Sequence, residues 1–295
     1  MKVAIIGAGF AGLASAYYLS EPLSEHWNVT LFDQKGIGGG ASGISSGLLH
    51  PYPGEQGRHS WHADEALAAA RELLQVAESA LGMPVARFGG ILRKGPCLNP
   101  GDDVERLADG SYFIKSGITV FSELYLAGLW KACEQRGVKH VLQHITQLQE
   151  LEYFDVIVIA AGAGIRNFPE CAHLKVGFVK GQVLTLEKTL EQSISSKRYF
   201  AVTSDPKQCH LGSTYERDFM SEEPDLEKAV SLLQPEEKVL GCRAAIRVTN
   251  PAHYFPLLEQ INRKTWALTA FGSRGLLYHA YFGKKIADVV SSSAT

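Results

Sequence analysis

The chain has 295 residues, enough for one large domain or two intimate ones around a sizeable core. Hydrophobic residues make up 45% and charged residues 20%, which excludes a disordered chain. Twenty-nine basic against 31 acidic residues leave a net charge of −2, so there is no electrostatic case for an obligate nucleic-acid or anionic-membrane binder.

Lys2–Ile6 is a short, apolar, β-branched run of the buried parallel-strand type. A glycine turn follows, then a helix over Phe10–Leu19 with Pro22 beyond its end, then a second strand over Asn28–Asp33. The uncharged run Val3–Ser20 follows Lys2 and contains Ala14-Ser15-Ala16, as a signal peptide or membrane span does. Gly7, Gly9 and Gly12 cut it into a strand and a helix, and the chain reads as a soluble cytoplasmic protein. Cys97, Cys133, Cys171, Cys209 and Cys242 form no CxxC pair and no Cys/His cluster with zinc spacing. They are expected to be free thiols in a reducing compartment, with no metal site.

Residues 36–47 form a loop rich in Gly and Ser. A helix is expected over Ser60–Leu81, with Leu67, Ala70, Leu74, Ala77 and Leu81 on one face and Gly82-Met83-Pro84 ending it. Residues 85–121 hold short strand-like pieces and turns. Ser122 is expected to cap a helix to Arg136, with Leu126, Leu129, Trp130 and Cys133 inward and Gly137 stopping it. Val138–Leu151 reads as two short strands and Asp155–Ala160 as another buried parallel strand. A helix is expected over Asp225–Leu233, a last buried strand over Thr265–Phe271, a turn over Gly272–Gly275, a closing helix over Leu276–Val290 and a frayed tail over Ser291–Thr295.

Gly7-Ala-Gly9-Phe-Ala-Gly12 matches GxGxxG between a strand and a helix, and Asp33 ends the second strand of the same β-α-β unit. Gly7 permits the tight turn, Gly9 lets backbone approach a pyrophosphate, and Gly12 lets helix and strand pack closely. The helix N-terminus offers free N–H groups to phosphates. Asp33 suits ribose hydroxyls and disfavours a 2′-phosphate. The rest of the chain favours FAD over NAD. Small residues crowd Gly38–Gly47, a strand ends in Ala160-Ala-Gly-Ala163, and a last strand, glycine turn and helix return to the same site. That helix can point its N-terminus at the flavin edge that gains negative charge on reduction. The candidate FAD contacts are therefore Gly7, Gly9, Phe10, Ala11 and Gly12; Asp33 and Gln34; Ala41, Ser42, Ser45, Ser46 and Gly47; Ala161 and Gly162; and Gly272, Ser273, Arg274, Gly275 and Leu276.

The segments Val3–Gly12, Gly40–Gly43, Gly47–Pro51, Val156–Gly162, Lys180–Gln182, Leu211–Arg217, Gly241–Arg243 and Gly272–Leu276 carry a resemblance. The chain resembles the D-amino acid oxidase superfamily of FAD-dependent oxidoreductases, which includes glycine oxidase and D-amino acid dehydrogenase. Gly212-Ser-Thr-Tyr215 and Gly272-Ser-Arg-Gly-Leu276 are similar to the C-terminal FAD oxidase domain of the bifunctional tRNA 5-methylaminomethyl-2-thiouridine enzyme. Departures are Ile44 for Asn, Ala161 for Thr, Thr249-Asn-Pro-Ala-His253 where an Asp is expected downstream of Arg243, and a shorter chain, mostly within 83–121.

The resemblance implies an α/β fold: a Rossmann-type FAD-binding domain from residues 1–84, 122–170 and 238–295, and a smaller antiparallel-sheet substrate domain from 85–121 and 171–237. It implies oxidation of the C–N bond of an amine or amino acid by hydride transfer to flavin N5, with hydrolysis of the imine. The electron acceptor is oxygen or a quinone. A modified tRNA, losing the carboxymethyl group of a carboxymethylaminomethyl-uridine, is the alternative substrate. A non-catalytic or partner-dependent flavoprotein is a third reading, motivated by the substituted motif positions. A carboxylate substrate calls for an arginine fork, and Arg243 matches the family's clamp position. Arg274 falls near the expected flavin face, Tyr215 caps the pocket, His50 and Tyr52 face the isoalloxazine, Gln182 contacts the pocket, and Ile145 matches the position beside the adenine. Covalent attachment of flavin through Cys242 is nowhere required by the sequence.

Overall fold

The computed structural model describes residues 1–21, 27–234 and 236–294; Pro22 and Thr295, named above, lie outside them. The first part of the chain runs β1 (Lys2–Ile6), α1 (Phe10–Leu19), β2 (Asn28–Asp33), β3 (Leu48–Leu49), α2 (Ala63–Leu81), β4 (Ala86–Phe88) and β5 (Ile91–Arg93). Then come β6 (Val104–Arg106), β7 (Tyr112–Ile114), β8 (Ile118–Val120), α3 (Ser122–Gln135), β9 (Lys139–Leu142) and β10 (Val156–Ile159). The last part holds β11 (Gly177–Glu187), β12 (Ile194–Ser195), β13 (Tyr199–Val202), β14 (Gln208–Gly212), α4 (Leu226–Ala229), β15 (Val239–Thr249), β16 (Leu257–Asn262), β17 (Thr265–Thr269) and α5 (Gly275–Ala294).

Six strands form one sheet in the order β16-β17-β10-β1-β2-β9, parallel except for β16. Its central strands are apolar on both faces because both faces are covered. Val3, Ile5 and Val158 feed a core shared with α1, α2, α3 and α5, while Ala4, Ile6, Ile157 and Ile159 feed a second core under residues 145–174. The alternation follows from the two-residue repeat of a strand. Eight strands form a second sheet, β15-β11-β14-β13-β12-β5-β7-β6, antiparallel except between β12 and β5, whose longest pair, β15 with β11, runs antiparallel from Gly177↔Thr249 onward. A third, β3-β8-β4, is small and antiparallel. The molecule is thus the expected α/β combination of a parallel-strand unit with antiparallel sheets. No described helix is long and apolar enough to cross a membrane.

Several segments settle differently from the sequence reading. β15, grouped above with the nucleotide-binding unit, is an edge strand of the large antiparallel sheet, because β11 supplies its hydrogen-bond partners. Ala86, Ile118 and Val120, grouped with the substrate unit, bury into the helical core instead. Helix α2 starts at Ala63, since His62 before it holds a left-handed φ of 44°. Ser122 does not cap α3; its hydroxyl donates to the Ser45 carbonyl at 3.1 Å. Trp130 is only half-buried. Val138–Leu151 contains one strand, β9, and a single helical turn at Leu148–Leu151 that buries both leucines. The tail does not fray at Ser291, for α5 continues to Ala294.

Candidate functional site

A cleft of about 2740 Å³ lies between the C-terminal ends of β1, β10 and β17 and the inner face of the large sheet. This is the edge at which open parallel sheets bind ligands. It is larger than a pocket for one small molecule and has room for an extended dinucleotide with a substrate beside it.

Local sterics make the β1–α1 turn a glycine turn. Gly7 sits at φ 109°, and a Cβ there would stand 2.3 Å from the Ala160 carbonyl oxygen. A Cβ on Gly12 would lie 1.7 Å from the Gly7 oxygen, so helix and strand approach as closely as backbone allows. Gly9 faces the cleft, and its Cβ would meet Ser42 Oγ at 2.7 Å. The first N–H of α1, on Phe10, donates to that same hydroxyl at 3.0 Å. Asp33 ties the turn to the end of β2: Oδ2 accepts from Ala8 N–H at 2.8 Å, and Oδ1 from the N–H groups of Lys35 (2.7 Å) and Gly36 (2.9 Å). The first turn of α1 carries no acid, so its positive end is open to an anion. A side-chain-free turn, an uncompensated helix start and a carboxylate one strand away fit a dinucleotide.

Helix α5 begins at the same place. A short turn over Gly272–Arg274 leads into it, with Ala270 and Gly272 at φ 62° and 56°. A Cβ on Gly275 would be 3.8 Å from the Phe10 ring, so the starts of α1 and α5 converge on the cleft. Behind them lies buried His279. Its Nδ1–H donates to the Leu276 carbonyl (2.9 Å) and its Nε2 accepts from the Tyr125 hydroxyl (2.5 Å). Burial pushes its pKa down to about 4, and burial with the Arg93 charge pushes that of His50 down to about 3. Both imidazoles are neutral at physiological pH.

These shifts set a stability profile. The folded pKa values lie below the ordinary 6.5 of an unfolded histidine. Between about pH 6.5 and 4 the unfolded chain therefore binds protons that the folded chain does not, and stability falls as pH falls. The thermal midpoint is expected to be level above pH 7 and to drop steadily toward pH 4. A His279→Gln variant should show a shallower acid slope.

The loop after β3 forms another wall. Arg93, almost fully buried, donates to four carbonyls: Pro96 (2.5 Å), Tyr52 (3.2 Å), Gly54 (2.9 Å) and Glu55 (2.9 Å). Its fork shapes residues 52–57, which lysine with a single ammonium cannot do. Arg93→Lys is expected to cost about 2–4 kcal/mol in denaturant unfolding.

The structure places the remaining candidates as follows. His50, Tyr215, Arg274 and the candidate FAD contacts line the cleft, except Gly12, Gly47 and Ile145. Gly47 packs against Val120, and Ile145 lies in the core beside Phe32. The Arg274 guanidinium lies 4.6 Å from the Tyr254 ring centre, and burial lowers its pKa. Tyr215 is 60% exposed at the rim. Tyr52 is directed away, its hydroxyl on Asp103. Gln182 is fully buried outside the cleft, donating to Glu216 and accepting from the Asp225 N–H. The Cys242 thiol points at Gln182 and is not among the lining residues.

Arg243 is not brought to the cleft. Its guanidinium pairs with Glu123 in the first turn of α3, on a half-exposed surface. Four residues on, Arg247 is. It lies over Gly181, where a Cβ would come 2.8 Å from Nη2, and donates a long bond to the Thr214 carbonyl at 3.4 Å. No carboxylate pairs with it among the described residues, and burial lowers its pKa. Beside it, the Tyr199 hydroxyl bonds Ser46 of the Gly/Ser loop and Ser213 of the large sheet, and burial raises its pKa. Sequence reasoning missed Arg247, Tyr199 and His279. The usable signal for Arg247 was Gly181, which leaves room for a long side chain on the neighbouring strand; for Tyr199 there was none.

A family model described as DAO, FAD-dependent oxidoreductase, matches residues 2–289. No curated protein sequence matches the chain. Among solved structures, glycine oxidase from Geobacillus kaustophilus superposes with a TM-score of 0.81 at 19% identity, over 98% of this chain and 94% of that one. Iminodiacetate oxidase from a Chelativorans species gives 0.75 at 18%, over 98% and 95%. L-proline dehydrogenase from P. horikoshii gives 0.73 at 12%, over 99% and 93%. At these identities the likeness is one of fold. With a family match spanning almost all of its length and a cleft built for a dinucleotide, the chain belongs to the DAO family of FAD-dependent oxidoreductases.

Proposed function

We propose that this enzyme oxidises the C–N bond of an amine or amino acid that carries a carboxylate. The observation carrying the proposal is Arg247: a half-buried guanidinium in the cleft, its pKa lowered by burial, without an acidic partner among the described residues, beside the Tyr199 hydroxyl. A buried cation without a counter-ion is costly, and a substrate carboxylate removes that cost through two charge-assisted hydrogen bonds. Tyr199 supplies a third donor to the same anion. The FAD-dependent relatives described above, named for glycine and iminodiacetate, act on substrates of this class.

The cofactor would be held by the β1–α1 turn at Gly7, Gly9, Phe10 and Ala11, by Asp33 and Gln34, by Ala41, Ser42, Ser45 and Ser46, by Ala161 and Gly162, and by the turn Gly272–Leu276. FAD, when bound, supplies the acceptor for a hydride from the carbon beside the nitrogen. The protein's part is to fix that carbon and keep the site dry. His50 is neutral and so adds no cation to repel the amine. Arg274, held on Tyr254, is proposed to lie near the flavin, and Tyr215 at the substrate entrance. The free cysteines, four of them buried, favour a reducing compartment such as the cytoplasm.

A second substrate, a tRNA uridine bearing a carboxymethylaminomethyl group, is favoured by one observation. The cleft is lined by nine Lys or Arg against five Asp or Glu, in a chain of net charge −2. Exposed Trp61, Tyr215 and Tyr254 at its edge offer faces on which bases can stack.

The test is anaerobic loss of visible flavin absorbance on mixing with glycine, sarcosine, D-amino acids or the modified tRNA. Bleaching by a small carboxylated amine is the expected result. Bleaching by tRNA alone would favour the second substrate. Bound FAD that none of them reduces would overturn the proposal and favour a partner-dependent flavoprotein.

A further inference from the structure

We propose that the rim of the cleft holds a second anion-binding position, Arg217, and that the substrate is a secondary amine with an acidic group on each arm. This rests on the amine-oxidation reading above and names its substrate class.

The Tyr215 ring is flanked by two guanidinium groups, Arg247 at 5.8 Å and Arg217 at 5.7 Å from the ring centre. All three side chains line the cleft, Arg247 half-buried and Tyr215 and Arg217 exposed at its rim. The two charges therefore stand no farther apart than the sum of those distances, with an aromatic surface between them.

The intervening acid does not neutralise them. Glu216, held to Lys180 by a backbone bridge, also lines the cleft, but its carboxylate is taken up by other partners. Glu216 accepts from Gln182 (2.8 Å) and Thr214 (2.7 Å) and pairs with Lys228 (3.6 Å), not with Arg217. Glu222, also at the cleft, pairs with Arg166. Neither Arg217 nor Arg247 has a carboxylate within ion-pairing distance among the described residues. An amine whose reacting arm ends in a carboxylate on Arg247 directs its other arm along Tyr215. An acidic group on that arm meets Arg217, whereas a bare methyl or hydrogen leaves the guanidinium in water and gains nothing from it.

The experiment separates binding from oxidation. Thiodiacetate and methylthioacetate carry sulfur in place of the amine nitrogen and differ only in the second carboxylate. Their affinities for the FAD-loaded protein are measured by calorimetry in wild type, Arg217→Ala and Arg217→Lys. The diacid is expected to bind about five- to tenfold more tightly in wild type, a ratio that falls to about one in Arg217→Ala and largely survives in Arg217→Lys. Equal affinities in wild type, or a ratio unchanged by Arg217→Ala, would overturn the proposal. Anaerobic bleaching with sarcosine and iminodiacetate is run alongside. If neither bleaches the flavin while the diacid ratio behaves as expected, the rim position stands and the amine-oxidation reading fails. If both bleach it and the ratio is flat, the reverse holds.

Discussion

Replacing Arg247 with alanine is expected to raise KM for the carboxylated amine roughly 100- to 1,000-fold while FAD still binds. The carboxylate contact exists before and during the reaction, so its loss falls mainly on KM rather than kcat. The size follows from the setting. Arg247 is half-buried, and among the described residues its one hydrogen-bond acceptor, the Thr214 carbonyl, is distant at 3.4 Å. A substrate anion left there without its fork has few replacement donors. Arg247→Lys keeps the charge without the planar pair of donors and should recover part of the loss. Arg243→Ala is the informative control. It removes a half-exposed pair with Glu123, outside the cleft, and such pairs contribute under about 1 kcal/mol. Steady-state kinetics on the three variants decide the matter. A large KM effect at Arg243 with none at Arg247 would overturn the assignment.

The second large effect is expected in the glycine turn, where neighbouring positions should fail in different ways. Gly12→Ala sets a methyl 1.7 Å from the Gly7 oxygen, backbone against backbone, with no rotamer to relieve it. Helix α1 must then lift off β1, and the apoprotein is expected to lose at least about 3 kcal/mol with or without FAD. Gly9→Ala meets only the Ser42 hydroxyl, at 2.7 Å, which can turn aside. The apoprotein should melt almost as wild type does, while the methyl displaces the Ser42 contact to the Phe10 N–H and stands on the cleft wall. FAD affinity is expected to drop roughly 10- to 100-fold, read by flavin fluorescence and by loss of the FAD-dependent rise in Tm. Equal effects of the two variants on the apoprotein would contradict this division.

The contrast between Arg243 and Arg247 shows where reading a sequence stops. Both lie on β15 and, four apart, on the same face of the strand. What separates them is position along that face: Arg243 reaches Glu123 of α3, and Arg247 lies over Gly181 in the wall of the cleft. No local pattern reports how far a strand extends beyond a cleft. Ile145 is a similar case. Its apolar character is legible, but burial beside Phe32 in the second core comes from the turn at Leu148–Leu151 folding under the sheet. Ser122 has the chemistry of a cap, yet α3 takes it as its first helical residue with Phe121 at the cap position, and its hydroxyl donates to the Ser45 carbonyl.

By itself the sequence determined the parallel-strand unit and the identity of the cofactor. Apolar runs at β1 and β10, the GxGxxG spacing between β1 and α1, and Asp33 at the end of β2 are features of neighbouring residues. Their physics is local, so it is written locally. Only the tertiary structure decided which arginine of β15 lines the cleft, that Tyr199 joins Ser46 to Ser213, that His279 sits behind two helix starts, and that β15 belongs with β11. Those are contacts between segments far apart in the chain, selected by hydrogen-bond pairing and burial across the whole fold, and short-range patterns carry no record of them.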